Sequence, residues 1–409
     1  MYILGIDLGS KYIKAALCVK DAETDDITVL KLFKLPHKAS KQGTVTDVVK
    51  AKEAFGTLMD KLKLEFSEQI DYFVLSISGD NVNSYSGTST IPLWKQENED
   101  RRVKITKNHV NEVLKAAKMT AYNKDDKVEL HSIPQEYQID DQPATQNPID
   151  MYGVKLRSSV YVIQTDKSNM ENLTSIPESY SIDNHRVVFA PLATAEAVLD
   201  EEDKEAGAIV ISLGDQTTEL VVYLNGILRM AKVIPFGSGN ITKDLKILLK
   251  TDYATANAIK KENANAFSKD ASPEKIIEVP NSSSQKNEYT EEHISKITEA
   301  RLKEIFDFVT REIYKGSYQR QIHSPVIITG PGSRLNGADK LFSEINNSRT
   351  VKGKVTGVKG KNEDFTEDYF TAIGLVKYAI RNDIFGEDEE LGKKKKIWDR
   401  LKKFVSDLT

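Results

Sequence analysis

The chain has 409 residues, 39% of them apolar and 29% charged, with 57 basic against 61 acidic side chains and a formal charge of −4. It is long enough for more than one domain, because single cores stop growing at roughly 250 residues, and too evenly charged to bind nucleic acid as a whole. One cysteine, Cys18, excludes an internal disulfide, the six histidines show no zinc-ligand spacing, and no run of about 18 apolar residues offers a membrane span. The opening YILGIDLGS is too short and, at Asp7, too acidic for a signal peptide, so a protein of a reducing cytosol is expected, with Cys18 packed as a small buried side chain.

YILGIDL and YIKAALCV, on either side of Gly9 and Ser10, predict a hairpin of two half-buried strands. From residue 83 to 162 the character changes. IPLW, a helix at Lys107 to Lys118, and the strands VELHSIPQEYQI and VKLRSSVYVI predict a small α+β unit inserted into a first lobe. A second hairpin then appears at 211–220, ISLGDQTTEL. Asp7-Leu8-Gly9-Ser10 aligns with Ser212-Leu213-Gly214-Asp215, turn glycine on turn glycine, with apolar runs on both sides. Such a repeat predicts two related lobes that each offer a strand turn to a shared cleft, the plain alternative being a chance match of two hairpins.

Asn225-Gly226 is a strong two-residue turn signal, followed by ILRMAKVIP and a helix from about Asn240. Residues 261–289 read as a surface excursion with one short strand at Ile276 to Val279. Thr290 opens a long amphipathic helix that carries Ile294, Ile297, Arg301, Ile305, Phe308 and Ile313 at helical spacing and stops at Gly316; its apolar face is expected to be core. SPVIITGPGS, 324–333, reads as a buried strand emptying into a glycine turn.

The chain closes on GEDEELGKKKKIWDRLKKFVSDLT. After an acidic linker at 386–392, the residues Ile397, Trp398, Leu401, Phe404, Val405 and Leu408 fall within an arc of about 120° on a helical wheel, with Arg400, Lys402 and Lys403 at its edges and beyond. Fourteen helical residues reach only about 21 Å, so the segment is read as lying on an anionic bilayer rather than crossing it. A core helix, a basic nucleic-acid tail and a calmodulin-type target are the competing readings. The linker speaks against the first and the ordered apolar face against the second.

The two hairpins, the Asn225-Gly226 meander and the strand turn at Thr329-Gly330 resemble the nucleotide-facing motifs of the actin and heat-shock-chaperone ATPases. Within that superfamily the chain resembles the FtsA family of bacterial division proteins. The matching landmarks are His131-Ser132-Ile133-Pro134-Gln135-Glu136-Tyr137 with Asp140, Asn147-Pro148 and Gly153-Val154, then Lys232-Val233-Ile234-Pro235, Ala258-Ile259-Lys260, Glu278-Val279-Pro280 and Thr371-Ala372-Ile373-Gly374-Leu375. The resemblance implies an α/β, actin-like two-lobed ATPase fold with an inserted small α+β subdomain and a C-terminal amphipathic helix. Its parts would be a first lobe at 1–82, 163–195 and a closing helix at 367–385; the insertion at 83–162; a second lobe at 196–240 and 318–366 with its own insertion at 241–317; the linker at 386–392; and a membrane-targeting helix at 393–409.

The resemblance also implies roles. Gly9 and Ser10 would touch the phosphates of ATP, Asp7 would hold Mg through water, and Gly330 and Gly332 would floor the adenosine pocket. Ser212, Gly214, Thr217 and Thr218 would form the opposite phosphate turn, the two threonines as hydroxyl donors, with Glu219 keeping the acidic character of its position. This turn departs from the family, with Ser212 in place of an acid and Asp215 and Gln216 in place of glycines; Pro331 also replaces a usual glycine. A bare carboxylate about 4 Å from a phosphate costs roughly 1 kcal/mol in water and about 4 at an effective dielectric near 20. The expected outcome is a retained scaffold with degraded chemistry: ATP with Mg bound weakly or structurally, or no nucleotide, rather than brisk turnover.

As partners the resemblance implies the C-terminal tail of FtsZ, docked where Arg301 offers a basic position, a second copy of the chain head to tail, an anionic membrane, and later division proteins at 83–162. The expected location is the cytoplasmic face of the membrane at the septum. Arg301 as an ordinary solvated helix residue is the bland alternative. A PilM-like pilus-assembly scaffold, suggested by Gly9, Ser10 and Lys14, and a sugar or acetate kinase of the same superfamily are the rival functions. The kinase is disfavoured by Ser212 and Asp215, since it needs a cleft acid and an intact second phosphate loop.

Overall fold

The computed structural model describes residues 1–94, 102–121, 126–280, 286–316, 318, 321–361 and 365–385. Two five-stranded sheets share one topology. In the first, Tyr2–Leu8, Tyr12–Lys20 and Ile27–Pro36 form an antiparallel meander, and Tyr72–Ile77 and then His185–Phe189 add in parallel on the free side of the first strand. In the second, Ala208–Leu213, Thr218–Leu224 and Ile227–Ile234 repeat the meander, and Val326–Thr329 and Thr350–Lys352 repeat the parallel additions. The register repeats as well. Leu8 faces Ile13 as Leu213 faces Thr218, and the turns close through Gly9 N to Tyr12 O at 3.1 Å and Gly214 N to Thr217 O at 2.9 Å. This shared topology rules out the chance match of two hairpins. Asn225 and Gly226 both adopt positive φ, 54° and 74°, as a two-residue hairpin turn demands.

The long helices follow from capping and apolar spacing. Helix α1 (Val48–Glu65) starts where the Asp47 carboxylate accepts from Lys50 N and buries Ala51, Phe55, Leu58 and Leu62 against the first sheet. In the insertion, Asn83–Pro92, Lys155–Asp166 and Lys127–Ile139 form an antiparallel sheet in that order, and α2 (Lys107–Ala121) buries Val113, Ala117 and Ala121 on it. Helix α3 (Lys167–Glu178) returns the chain to the first lobe.

Helix α4 (Ala190–Val198) is buried on every side, which a helix tolerates only when both flanks are covered. One face of the second sheet, through Ala208, Val210, Tyr223, Ala231 and Val233, joins the first lobe's core around it, while Ile209, Ile211, Leu213, Leu220 and Val222 face a separate core. Helix α5 (Glu201–Ala206) sits beside α4, its Lys204 paired with Glu196, while the second core has α6 (Gly239–Leu248), α7 (Tyr253–Glu262), α8 (Glu291–Lys315) and α9 (Ala338–Asn346) over it. Thr290 caps α8 through His293 N, as its position predicts, and the buried stripe runs Ile294, Leu302, Ile305, Phe306, Val309 and Ile313. Phe308, expected in the core, is instead exposed: it stacks on Phe236 at 5.2 Å between ring centroids, with the Arg311 guanidinium 4.4 Å from the Phe308 centroid.

Helix α10 (Phe370–Arg381) crosses α4 so closely that a Cβ on Gly374 would lie 1.8 Å from Ala193 O, so no other residue fits there. His131 ties the insertion to this crossing. Its Nε2 accepts from Phe189 N, at the start of α4, at 3.0 Å, and its Nδ1 meets the Tyr378 hydroxyl of α10 at 3.3 Å. A neutral ring with its proton on Nδ1 satisfies both contacts, and burial pushes the imidazole pKa down to about 4.

A pH dependence follows. Between about 6.5 and about 4 the unfolded His131 takes a proton that the folded ring refuses, so the native state loses stability as the pH falls through that window. His131→Phe is expected to flatten this slope and to cost roughly 1–3 kcal/mol at pH 7, because it strands the Phe189 N–H. Urea denaturation at a series of pH values measures both, and an unchanged slope would refute the assignment.

Candidate functional site

A cleft of about 480 Å³ opens between the lobes, within the range of small-molecule sites. Asp7, Gly9, Ser10, Ser212, Gly214, Thr217, Gly330 and Gly332 all line it, joined by Lys11, Lys14, Lys34, Asp215, Glu219, Lys260, Arg334 and Asp368. Thr218 does not. Its side chain is fully buried and its hydroxyl donates to Phe236 O at 2.7 Å, because neighbouring residues of a strand point to opposite faces and Thr217 takes the open one. Gly330 has φ +80°, and a Cβ there would press on the Leu213 backbone at 2.8 Å, so the strand turn itself requires glycine.

The repeat places one charged pair and one mismatched pair at equivalent positions. In the first hairpin Asp7 stands opposite Lys14, and their side chains form an ion pair at 2.8 Å, with Ser76 Oγ donating to the other Asp7 oxygen at 2.9 Å. Burial alone would lower the Lys14 pKa; the Asp7 carboxylate outweighs it and raises it. In the second hairpin Ser212 stands opposite Glu219, so the facing strand position supplies it no cation. Ser78 Oγ donates to Glu219 at 3.0 Å across the lobes. Burial first, and then the Asp7 charge, push the Glu219 carboxyl up to about 7.

The turns also meet each other directly. Lys11 Nζ, from the first turn, lies 2.7 Å from Asp215 Oδ1 of the second and donates to the Tyr253 hydroxyl of α7 at 2.8 Å. Beside them, Gln42 N donates to Gln216 Oε1 at 2.9 Å and Gln42 Nε2 to Pro235 O at 3.0 Å. Asp215 therefore enters the cleft as half of an ion pair, not as the bare carboxylate that the sequence suggested. Lys11, Gln42 and Tyr253 carry no local motif that would have singled them out. Further along the wall, Asp368 is held by Lys34 at 2.8 Å and Arg334 at 2.9 Å, which keep its carboxyl below the usual range despite burial.

The donor set fits a nucleotide at a cost. The cleft has the volume, but Lys11 and Lys14 of the first hairpin are both committed to carboxylates, and a cation held by Asp7 would compete with Lys14. Away from the cleft, Arg301 on α8 forks onto Asp244 of α6, with Nη2 3.1 Å from Oδ1, and reaches Glu304 at 2.6 Å. It is a paired and partly exposed guanidinium. The residues Ile397, Trp398, Leu401, Phe404, Val405 and Leu408 lie outside the described residues. Among the described residues, no helix is long and apolar enough to cross a membrane.

Comparison with known proteins matches two family models, one described as cell division protein FtsA over residues 209–374 and one as the SHS2 domain inserted in FtsA over 79–164, together more than half of the chain. The cell division protein FtsA of Pseudomonas aeruginosa is 25% identical over 98% of this chain and 97% of its own, and that of Bacillus subtilis 25% identical over 93% and 83%. Among solved structures, a PilM-PilN type IV pilus biogenesis complex superposes with a TM-score of 0.62 at 15% identity, covering 92% of this chain and 98% of that one. MreB5 of Spiroplasma citri bound to AMPPNP does so with 0.55 at 12% identity, covering 96% and 99%. At such identities these structures speak for the actin-like fold alone.

Glu219 gives the site a signature in stability. Its folded pKa lies above the unfolded one, so its favourable share is present below about 4.5 and is lost as the pH rises through about 7. Glu219→Gln keeps an acceptor for Ser78 and removes the buried charge. It is expected to stabilise the protein by about 1–3 kcal/mol at pH 8 and by nothing at pH 4. Thermal melts at the two pH values check this; equal shifts at both would show that the fold does not raise the Glu219 pKa.

Proposed function

Since the chain belongs to the FtsA family of cell division proteins, we propose that it tethers FtsZ filaments to the cytoplasmic membrane at the division septum, as a scaffold with a degraded nucleotide cleft. Mg-ATP binds there weakly, without brisk turnover. The observation that carries this reading of the cleft is the second hairpin, where Ser212 stands in place of an acid and Asp215 is committed to Lys11. Without an acid at 212, nothing on that turn orients a metal-bound water. Gly330 and Gly332 remain along the cleft wall for an adenosine.

The tether has two ends in this proposal. The C-terminal tail of FtsZ docks on the second lobe's insertion, where Arg301 offers a guanidinium already oriented by Asp244. The lysine-edged apolar arc from Ile397 to Leu408 lies on the anionic leaflet. Copies stack head to tail, and the 83–162 insertion is the surface offered to later division proteins.

Two measurements test the ends separately. Full-length chain mixed with FtsZ and vesicles of phosphatidylglycerol and phosphatidylethanolamine is expected to pellet both proteins, and Trp398→Glu to leave both in the supernatant; equal pelleting refutes the anchor. Arg301→Glu is expected to weaken binding of an FtsZ tail peptide about tenfold while vesicle binding stays unchanged. An unaltered peptide affinity would return Arg301 to an ordinary helix surface.

A further inference from the structure

Two hairpin turns that face each other across a cleft are ordinarily joined through a ligand, whose phosphates accept from backbone N–H groups of both. Here side chains of the two turns reach each other directly. Lys11 and Asp215 are 204 residues apart in sequence and belong to different lobes, yet they form an ion pair at 2.7 Å. Tyr253 fixes the ammonium from the side, at 2.8 Å, and the ring of the same tyrosine lies under it, 4.9 Å from its centroid. Gln42, on the first lobe's lip, makes two more crossings to Gln216 and Pro235.

The loop that carries Asp215 is itself rigidly seated. Gly239 N donates to Asp215 O at 2.7 Å, and a Cβ on Gly237 or Gly239 would strike the Asp215 backbone at 2.7 Å. The back of the molecule is pinned as well. From the insertion, Tyr161 accepts from Ala231 N at 3.0 Å, Glu136 pairs with Arg229 at 3.3 Å, and Gln146 donates to Asn225 O at 3.0 Å, all three crossing to the second lobe.

We propose that Lys11 and Asp215 are a latch that joins the two lobes directly, in the bridging position that ligand phosphates take between such turns, so that closure of the cleft does not require a nucleotide. Asp215 in this view is a gain, not damage. The latch concerns lobe closure alone and is independent of membrane attachment and of FtsZ.

The test uses the full chain with spin labels on two added cysteines, Lys63→Cys in the first lobe and Glu262→Cys in the second, both at exposed helix positions; the native Cys18 is fully buried. Double electron–electron resonance without nucleotide is expected to give one narrow inter-lobe distance that saturating Mg-ATP leaves in place. Lys11→Met and Asp215→Asn should each add a longer distance, raising the open-to-closed ratio roughly two- to fivefold, as the loss of a partly exposed ion pair does. The exchanged pair Lys11→Asp with Asp215→Lys should restore the single distance. Single variants that keep the narrow distance, or a parent chain that is open until Mg-ATP is added, overturn the latch. Phosphate release measured on the same samples reads the cleft chemistry separately, so steady turnover by a closed parent chain would sink the degraded-cleft reading and leave the latch standing.

Discussion

Three ionisable side chains share the bottom of the cleft with one cation among them. Asp7 and Glu219 are carboxyls from opposite lobes, and Lys14 faces Asp7 across its own hairpin at 2.8 Å. Burial first, and then the Asp7 charge, raise the Glu219 carboxyl to about 7. Lys14 pairs with Asp7 and not with Glu219, and Ser76 and Ser78 direct their hydroxyls one toward each carboxyl. Because position 212 is serine, the second hairpin sets no further acid opposite Glu219.

Behind that floor, the joint between the lobes is built for a fixed angle. Helix α4 has no solvent face, and α10 meets it at Gly374 with no room for a side chain. At the far end of the joint, Lys204 pairs with Glu196 at 2.7 Å with both side chains almost fully buried, and Arg381 of α10 reaches the other Glu196 oxygen at 3.1 Å. Such a buried pair adds little net stability over apolar packing, but breaking it leaves an uncompensated charge, so it penalises every geometry except the one that keeps its partners together. His131 extends the same restraint to the inserted subdomain through Phe189 N and Tyr378.

Much of this architecture is written locally. Apolar alternation on either side of Gly9 and Gly214 is enough to find both hairpins, and the alignment of Asp7 with Ser212 finds the repeat, because strand period and turn glycine are properties of neighbouring residues. The insertion shows itself at 83–162 through its change of pattern, close to the 79–164 of the matching family model. Thr290 and Gly316 mark the ends of α8 by capping alone. What failed was set by neighbours. Helical spacing put Phe308 on the apolar face, but the width of that face depends on what covers it, and there the covering ends, leaving Phe236 and Arg311 to shelter the ring. Thr217 and Thr218 read alike as hydroxyl donors until the strand direction separates them. Asp215 was misjudged because its partner is 204 residues away, and no local pattern announces Lys11.

That misjudgement bears on what the cleft is for. An enzyme that turns over must open and close, so the free energies of its two states have to lie within a few kcal/mol of each other and the ligand has to tip the balance. A scaffold has the opposite need. The partly exposed contacts between the turns contribute on the order of 1 kcal/mol or less each, but Lys11 with Asp215, Lys11 with Tyr253, and Gln42 with Gln216 and Pro235 act on the same coordinate, lobe separation. Acting together they reach the few kcal/mol that separate open from closed forms, which is the size of the contribution a bridging ligand would otherwise supply. On the latch reading, the acid at position 215 that sets this turn apart from a glycine-rich phosphate loop is also the side chain that connects it to the first lobe.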